Sequence, residues 1–186
     1  MRKIIYWVQT SIDGFIDGPN GELDWPGPEL SAYSETLDQR ADTLLFGRRV
    51  WEMMIGYRPR AESVCDDPQV AEFAPYWRAT PKNAFSRTHP GEEWTDRVVK
   101  DDIRAQVGAL KAAPGADLLL TGGADLAATL TELGLIDEYH IAVHPVALGG
   151  GRKVFAHPEH RVNLRVVSSR VLDGSVVVTH YAPDMQ

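Results

Sequence analysis

Apolar positions along the chain switch between short continuous runs and a spacing of three and four, and that alternation predicts an α/β fold. Lys3 to Thr10 is β-branched and aromatic, a buried strand, and Ser11 to Pro28 follows as a loop punctuated by glycine and proline. Leu30, Tyr33 and Leu37 give one apolar stripe, so Glu29 to Arg40 predicts an amphipathic helix. Thr43 to Phe46 predicts a strand ending at Gly47, with a helical turn or two over Arg49 to Met54. The several prolines between Gly56 and Thr80 predict an irregular excursion. Asn83 to Ser86 and Arg97 to Val99 are short strands. Asp101 or Asp102 then caps a helix through Ile103, Val107 and Leu110. Asp117 to Thr121 predicts a strand, Asp125 to Leu133 a helix stopped by Gly134, and Glu138 to Val146 a strand. Asn163 to Leu172 and Ser175 to Ala182 flank Asp173-Gly174, a hairpin signal. The expected architecture is a three-layer α/β/α domain over residues 1–186, its sheet mostly parallel with an antiparallel C-terminal strand.

Composition narrows the function. Twenty-six acidic residues against 19 basic ones give a net charge of −7, which disfavours a coat for nucleic acid or an anionic membrane. No apolar run approaches a membrane span, and Ile4 to Val8 is too short for a signal-peptide core. Cys65 is the only cysteine, so no internal disulfide exists and a cytoplasmic protein is expected. The adjoining Asp66-Asp67 raises a thiol pKa, so Cys65 makes a poor nucleophile.

Three strand-to-turn junctions carry the candidate chemistry. Leu45-Phe46-Gly47-Arg48-Arg49-Val50 ends a strand and opens a helix, which puts free N–H groups and two guanidiniums at the sheet's carboxyl edge. Leu120-Thr121-Gly122-Gly123-Ala124-Asp125 pairs glycines between strand and helix, a geometry suited to an anion-binding nest. Ser86 and Arg87 follow a third strand and could hold a further phosphate. Each junction alone also fits an ordinary surface turn. Together they fit a ligand crevice at the carboxyl ends of α/β strands. No metal is expected: His140 and His144 share a strand face, but they lie about 13 Å apart along it, too far for one zinc.

The same segments carry a resemblance. Gly47-Arg48-Arg49-Val50-Trp51-Glu52 resembles the G-R-x-T-W-E signature of dihydrofolate reductases. Lys82-Asn83 with Ser86 resembles their K-N-x-x-x-S segment, one residue shorter, and Thr121-Gly122-Gly123 resembles their I-G-G turn. Gln9-Thr10-Ser11-Ile12-Asp13-Gly14-Phe15-Ile16, the run from Gly122 to Leu126, and His144-Pro145-Val146 with Leu148-Gly149 look closer to a sister group. That group is the reductase domain of bacterial riboflavin synthesis, the RibD C-terminal family, with its small stand-alone relatives. The likeness runs from residue 3 to about residue 182.

The resemblance implies a dihydrofolate reductase-like fold that binds NADPH and passes hydride to a small heterocycle or carbonyl compound. Gly47, Arg48, Arg49 and Val50 would contact the cofactor phosphates, and Ser86 and Arg87 the adenosine 2′-phosphate. Thr121, Gly122, Gly123, Ala124 and Asp125 would border the pyrophosphate and nicotinamide. Thr10, Ile16, Asp24, Trp25 and Glu29 would line the substrate side, with water or a polar group such as Asp24 or Thr10 as the proton source. Leu30 stands where dihydrofolate reductases carry a pterin-binding acid; Glu29, one position away, is rotated by about 100° on the helix. The implied partners are a small substrate and a second copy of the chain, pairing through the apolar edge at Ser175 to Thr179. Two alternatives stay open: a riboflavin-pathway 5-amino-6-(5-phosphoribosylamino)uracil reductase, and a nucleotide-binding protein without turnover.

Overall fold

The computed structural model describes residues 1–21, 28–57, 59, 68–88, 97–155 and 161–184. In chain order the elements are β1 (Ile4–Ser11), α1 (Pro28–Asp38), β2 (Ala41–Gly47), α2 (Arg48–Tyr57), α3 (Pro68–Ala79), β3 (Lys82–Phe85) and β4 (Arg97–Val99). There follow α4 (Ile103–Ala112), β5 (Asp117–Leu120), α5 (Ala124–Glu132), β6 (Glu138–His144), β7 (Leu164–Leu172) and β8 (Val176–Pro183).

The strands form one eight-stranded sheet in the order β4-β3-β2-β5-β1-β6-β8-β7. Pairing is parallel from β4 to β6, and β8 then runs antiparallel to both β6 and β7. The central strands are buried on both faces, as their unbroken apolar runs require. One face packs Tyr6, Leu118 and Leu120 against Val107 of α4 and Leu126, Ala127 and Leu130 of α5. The other packs Ile5, Trp7, Leu44 and Phe46 against Leu30 and Leu37 of α1, Trp51 of α2 and Trp77 of α3. These are the three expected layers. Asp173 and Gly174 take φ of 50° and 71°, the double positive that a tight I′ hairpin turn demands.

Two expectations are corrected. The proline-rich stretch before Thr80 contains α3, which opens on Pro68 and carries Pro75 inside it. Proline suits the first helical position, and exposed Pro75 sits on the outer face while Ala74 and Trp77 are buried. The apolar run from Ser175 to Thr179 is not an edge either. It belongs to β8, which is paired on both sides, and the true edge is β7.

One irregularity of the sheet decides where a ligand fits. β6 accompanies β1 from Ile5 to Ser11, whereas β5 pairs with it only at Ile4, Ile5 and Tyr6. β5 stops because Gly122 and Gly123, at φ of 154° and 100°, turn the chain away into α5. The β5 side of Trp7 to Ser11 is therefore left without a strand partner at the carboxyl edge of the sheet.

Candidate active site

A cleft of about 780 Å³ lies over the carboxyl ends of β2, β3, β4 and β5. Gly47 sits in its floor against the turn after β5, and the Gly47 N–H donates to the Gly122 carbonyl at 3.3 Å. A Cβ on Gly122 would meet the Val50 methyls at 3.1 and 3.2 Å, so glycine there lets α2 pack down on the turn. The first residues of α2, α4 and α5 all line the cleft, so three positive dipole ends converge on it. The N-terminus of α5 has no side-chain cap, since its N-cap residue is Gly123. Asp102 caps α4 by accepting from the Ala105 N–H at 3.1 Å.

Charge in the cleft runs against that of the whole chain. Among the described lining residues six are cationic (Arg48, Arg49, Arg87, Lys100, Arg104 and Arg152) and three are acidic (Asp101, Asp102 and Asp125). Arg48 is committed: its Nε binds Glu52 at 2.7 Å and its NH1 donates to the Thr88 hydroxyl at 2.8 Å. The Thr88 N–H in turn donates to the Ser86 hydroxyl at 3.3 Å, which joins the start of α2 to the end of β3. Arg49 and Arg87 are exposed and have no acidic partner among the described residues. Buried Asp17 holds Arg152 through the main-chain N–H at 2.8 Å and the guanidinium Nε at 2.7 Å.

Of the residues predicted from sequence, Gly47, Arg48, Arg49, Ser86, Arg87, Gly123, Ala124 and Asp125 come together along this cleft. Thr121, Gly122 and Val50 adjoin it through the glycine turn. Thr10 lies near the end of β1 and Ile16 in the loop that follows it, and neither lines this cleft. The Thr10 hydroxyl is buried and has two carbonyl acceptors, Ser11 at 3.1 Å and Phe15 at 3.0 Å. Ile16 packs against the core cluster shared with α4 and α5. Asp24, Trp25 and Cys65 fall outside the described residues. The Glu29 carboxylate accepts the Asp173 N–H at 2.6 Å, and Asp173 accepts the N–H groups of Glu29 and Leu30 at 2.9 and 3.0 Å. Glu29 is thereby turned to the β7–β8 hairpin, while Leu30 is buried in the core.

Sequence reasoning missed Thr88, Lys100, Arg104 and Arg152. Lys100 and Arg104 flank the predicted cap of α4, and reading the end of β4 as a fourth junction would have found them. It also missed the clamp beside β1. The Asp13 carboxylate accepts from Ser11 Oγ at 2.6 Å and from the N–H groups of Leu148 and Gly149 at 3.1 and 2.8 Å. Those donors, Ser11 first, pull its pKa down to about 2. Together Asp13 and Asp17 fasten the loop after β6 to the loop after β1.

Far from the cleft, Glu138, His140 and His180 bring ligand-type atoms within 4.8 Å of one another. The two imidazoles are stacked 4.2 Å apart and 13° from parallel, so their in-plane lone pairs cannot meet at one ion. Lys3 and Arg40, at 2.8 and 2.9 Å, already neutralise Glu138. The cluster reads as a charge network.

Comparison with known proteins agrees with this geometry. The family model for the RibD C-terminal domain matches residues 2–178. The uncharacterized protein YyaP of Bacillus subtilis is 36% identical over 182 residues, covering 97% of this chain and 94% of its own. A solved protein from Shewanella sp. PV-4, named for riboflavin biosynthesis, superposes with a TM-score of 0.78 at 27% identity over the whole of both chains. Dihydrofolate reductase from Enterococcus faecalis, solved with NADP(H), superposes with a TM-score of 0.66 at 14% identity, covering 98% of this chain and 97% of its own.

Proposed function

The chain belongs to the RibD C-terminal domain family, and from that premise we propose that it is an NADPH-dependent reductase of a small heterocyclic or carbonyl substrate. The observation that carries the reading is the cleft: three helix N-termini and six cationic side chains gather at the carboxyl edge of the sheet in a chain of net charge −7. Its volume suits a dinucleotide-sized ligand. The donor set fits phosphate groups, since guanidiniums bind phosphate with charge-assisted hydrogen bonds and the uncapped start of α5 adds main-chain donors. Arg49, Arg87 and Ser86 would hold the 2′-phosphate end, and the Gly122-Gly123 turn with the start of α5 the pyrophosphate.

When bound, NADPH supplies the hydride from C4 of its dihydronicotinamide. The protein's part is position and environment. The nicotinamide ring would lie beside the stretch of β1 beyond Tyr6, which β5 does not pair, next to the glycine turn. The Asp13 and Asp17 hydrogen bonds join the loop after β1 to the loop after β6, which would help to position the ligand. Residues 1–186 act as one domain in this reading, in the cytoplasm and as a homodimer.

The family and the Shewanella protein favour one narrower reading, a riboflavin-type reductase. The test is direct. NADPH and NADH are titrated against the protein by cofactor fluorescence, then NADPH oxidation is followed with a panel of carbonyls, quinones, pteridines and the ribosylaminouracil. Micromolar NADPH binding with turnover of any panel member supports the reading. Binding without turnover favours a nucleotide-binding protein, and no binding at millimolar NADPH overturns the reading.

A further inference from the structure

Gln9 is the only residue of β1 that is not buried; Ile4 to Val8, Thr10 and Ser11 are all shut in. It stands in the part of the strand that β5 leaves unpaired. Its carboxamide is held from behind: buried His144, at the carboxyl end of β6, lies with Nε2 3.1 Å from Gln9 Oε1. Gln9 and Trp7 are on the face packed by α1, opposite Val8 and Thr10. Among the described residues Leu30 is buried apolar surface on that face, Glu29 is tied to the β7–β8 turn, and the Asp173 carboxylate is taken up by the N–H groups of Glu29 and Leu30.

We propose that Gln9 reads the substrate through its carboxamide, with His144 as its positioning residue, and that the site selects an uncharged ring bearing a carbonyl group. This rests on the reductase reading for its place in the reaction. With His144 Nε2–H donating to Oε1, both amide hydrogens of Gln9 remain for an acceptor on the ligand. A carboxamide offers no countercharge of its own, so Gln9 pairs better with a neutral acceptor than with a protonated ring. Burial keeps His144 toward its neutral form against the opposing pull of the Asp173 carboxylate, which matches a neutral partner. A carbonyl oxygen that accepts one of these N–H groups is also polarised for hydride attack at a ring carbon conjugated with it.

The test uses two rings of one skeleton in millimolar titrations: 2-pyridone, neutral with a carbonyl, and 2-aminopyridine, protonated near neutral pH. Binding is read by nitrogen-15 shifts of the Gln9 side-chain amide, and in variants by ligand-observed NMR. The expected result is at least tenfold preference for 2-pyridone in the wild type. His144→Ala should weaken 2-pyridone about tenfold and His144→Gln should restore most of it, because the glutamine amide nitrogen can replace Nε2–H. Gln9→Glu should reverse the preference toward 2-aminopyridine. Equal binding of the two rings, no binding of either, or an unreversed preference in Gln9→Glu overturns the proposal. NADPH titration of the same samples is a separate readout: its failure beside intact ring selection sinks the reductase reading alone.

Discussion

Gly47 and Gly123 meet backbone to backbone in the floor of the cleft, so closely that a Cβ on Gly123 would lie 2.9 Å from the Gly47 Cα. That contact fixes the end of β2 against the start of α5. Gly123→Ala must relieve a backbone clash and also hold alanine at a φ of 100°, a strain of about 1–3 kcal/mol before the clash is counted. The expected outcome is a large loss in Tm together with loss of NADPH binding. Gly134→Ala is the control: its φ is 66°, but a Cβ there meets nothing within 4 Å, so it should cost only about 1 kcal/mol and leave binding intact. Equal effects of the two variants would refute the close-packed floor.

Arg49 and Arg87 should read the 2′-phosphate, whereas Arg48 is occupied with Glu52 and Thr88. A charge-assisted hydrogen bond contributes about 1.5–3 kcal/mol, reduced here by exposure and salt. Arg87→Ala or Arg49→Ala should weaken NADPH by about 10- to 100-fold and leave NADH nearly unchanged. Arg48→Ala should instead lower Tm modestly and weaken both cofactors alike, since it loosens the junction between α2 and the end of β3. Equal wild-type affinities for the two cofactors would end the assignment.

Dihydrofolate should be a poor substrate. Leu30 is 2% exposed, and the neighbouring Glu29 carboxylate is engaged by the Asp173 N–H, so neither residue offers an acid to a pterin. Loss of a proton-transfer group typically costs 10²- to 10⁴-fold. Steady-state turnover near the ordinary 10 s⁻¹ with dihydrofolate would contradict this.

Much of the architecture was legible because the local signals agreed with each other. Asp173-Gly174 signalled a tight hairpin turn, and of the two candidate caps, Asp101 and Asp102, it is Asp102 that caps α4. The glycines at 47, 122 and 123 marked the cleft for the same reason: only they permit the close approach that the turn makes. What stayed hidden depended on tertiary context. Pro75 reads as a helix breaker until its outward position on α3 is known. Which C-terminal strand forms the edge is a matter of strand order, and the pattern of Val176 to Val178 does not encode it. Gln9 looked like one more strand residue, because its contact with His144 is made across to β6 and no local pattern encodes it.

The edge strand β7 is nine residues long and part-exposed or exposed throughout, with Val166, Val167 and Val171 between 46% and 63% exposed. A long apolar edge of this kind invites pairing with another chain. Light scattering should therefore return about twice the 20.6 kDa chain mass at micromolar concentration. Val166→Lys with Val171→Lys should shift the protein to monomer while circular dichroism stays native. A wild-type monomer across that range would count against the dimer.

Stability should fall as pH drops from 7.5 to 5.5, and the sign follows from two histidines. Burial lowers the pKa of His144 and His180 below the ordinary 6.5, and for His180 the stacked His140 is the next cause. The folded protein thus disfavours the charged imidazole, so between the lowered values and 6.5 the unfolded chain binds more protons. The stabilisation is complete above pH 7 and is lost as pH falls through 6.5 toward the folded values. Glu138 adds a second, more acidic step. Bonds to His140 first, then to Lys3 and Arg40, hold its carboxyl well below the usual range, so that contribution is present above pH 4.5 and lost below it. Urea midpoints measured from pH 8 to pH 4 should decline in these two stages. His180→Phe keeps a ring stacked on His140 but cannot titrate, so its midpoint should fall less between pH 7.5 and 5.5 than that of the wild type. Parallel pH profiles for the two proteins would show that His180 does not report its burial through stability.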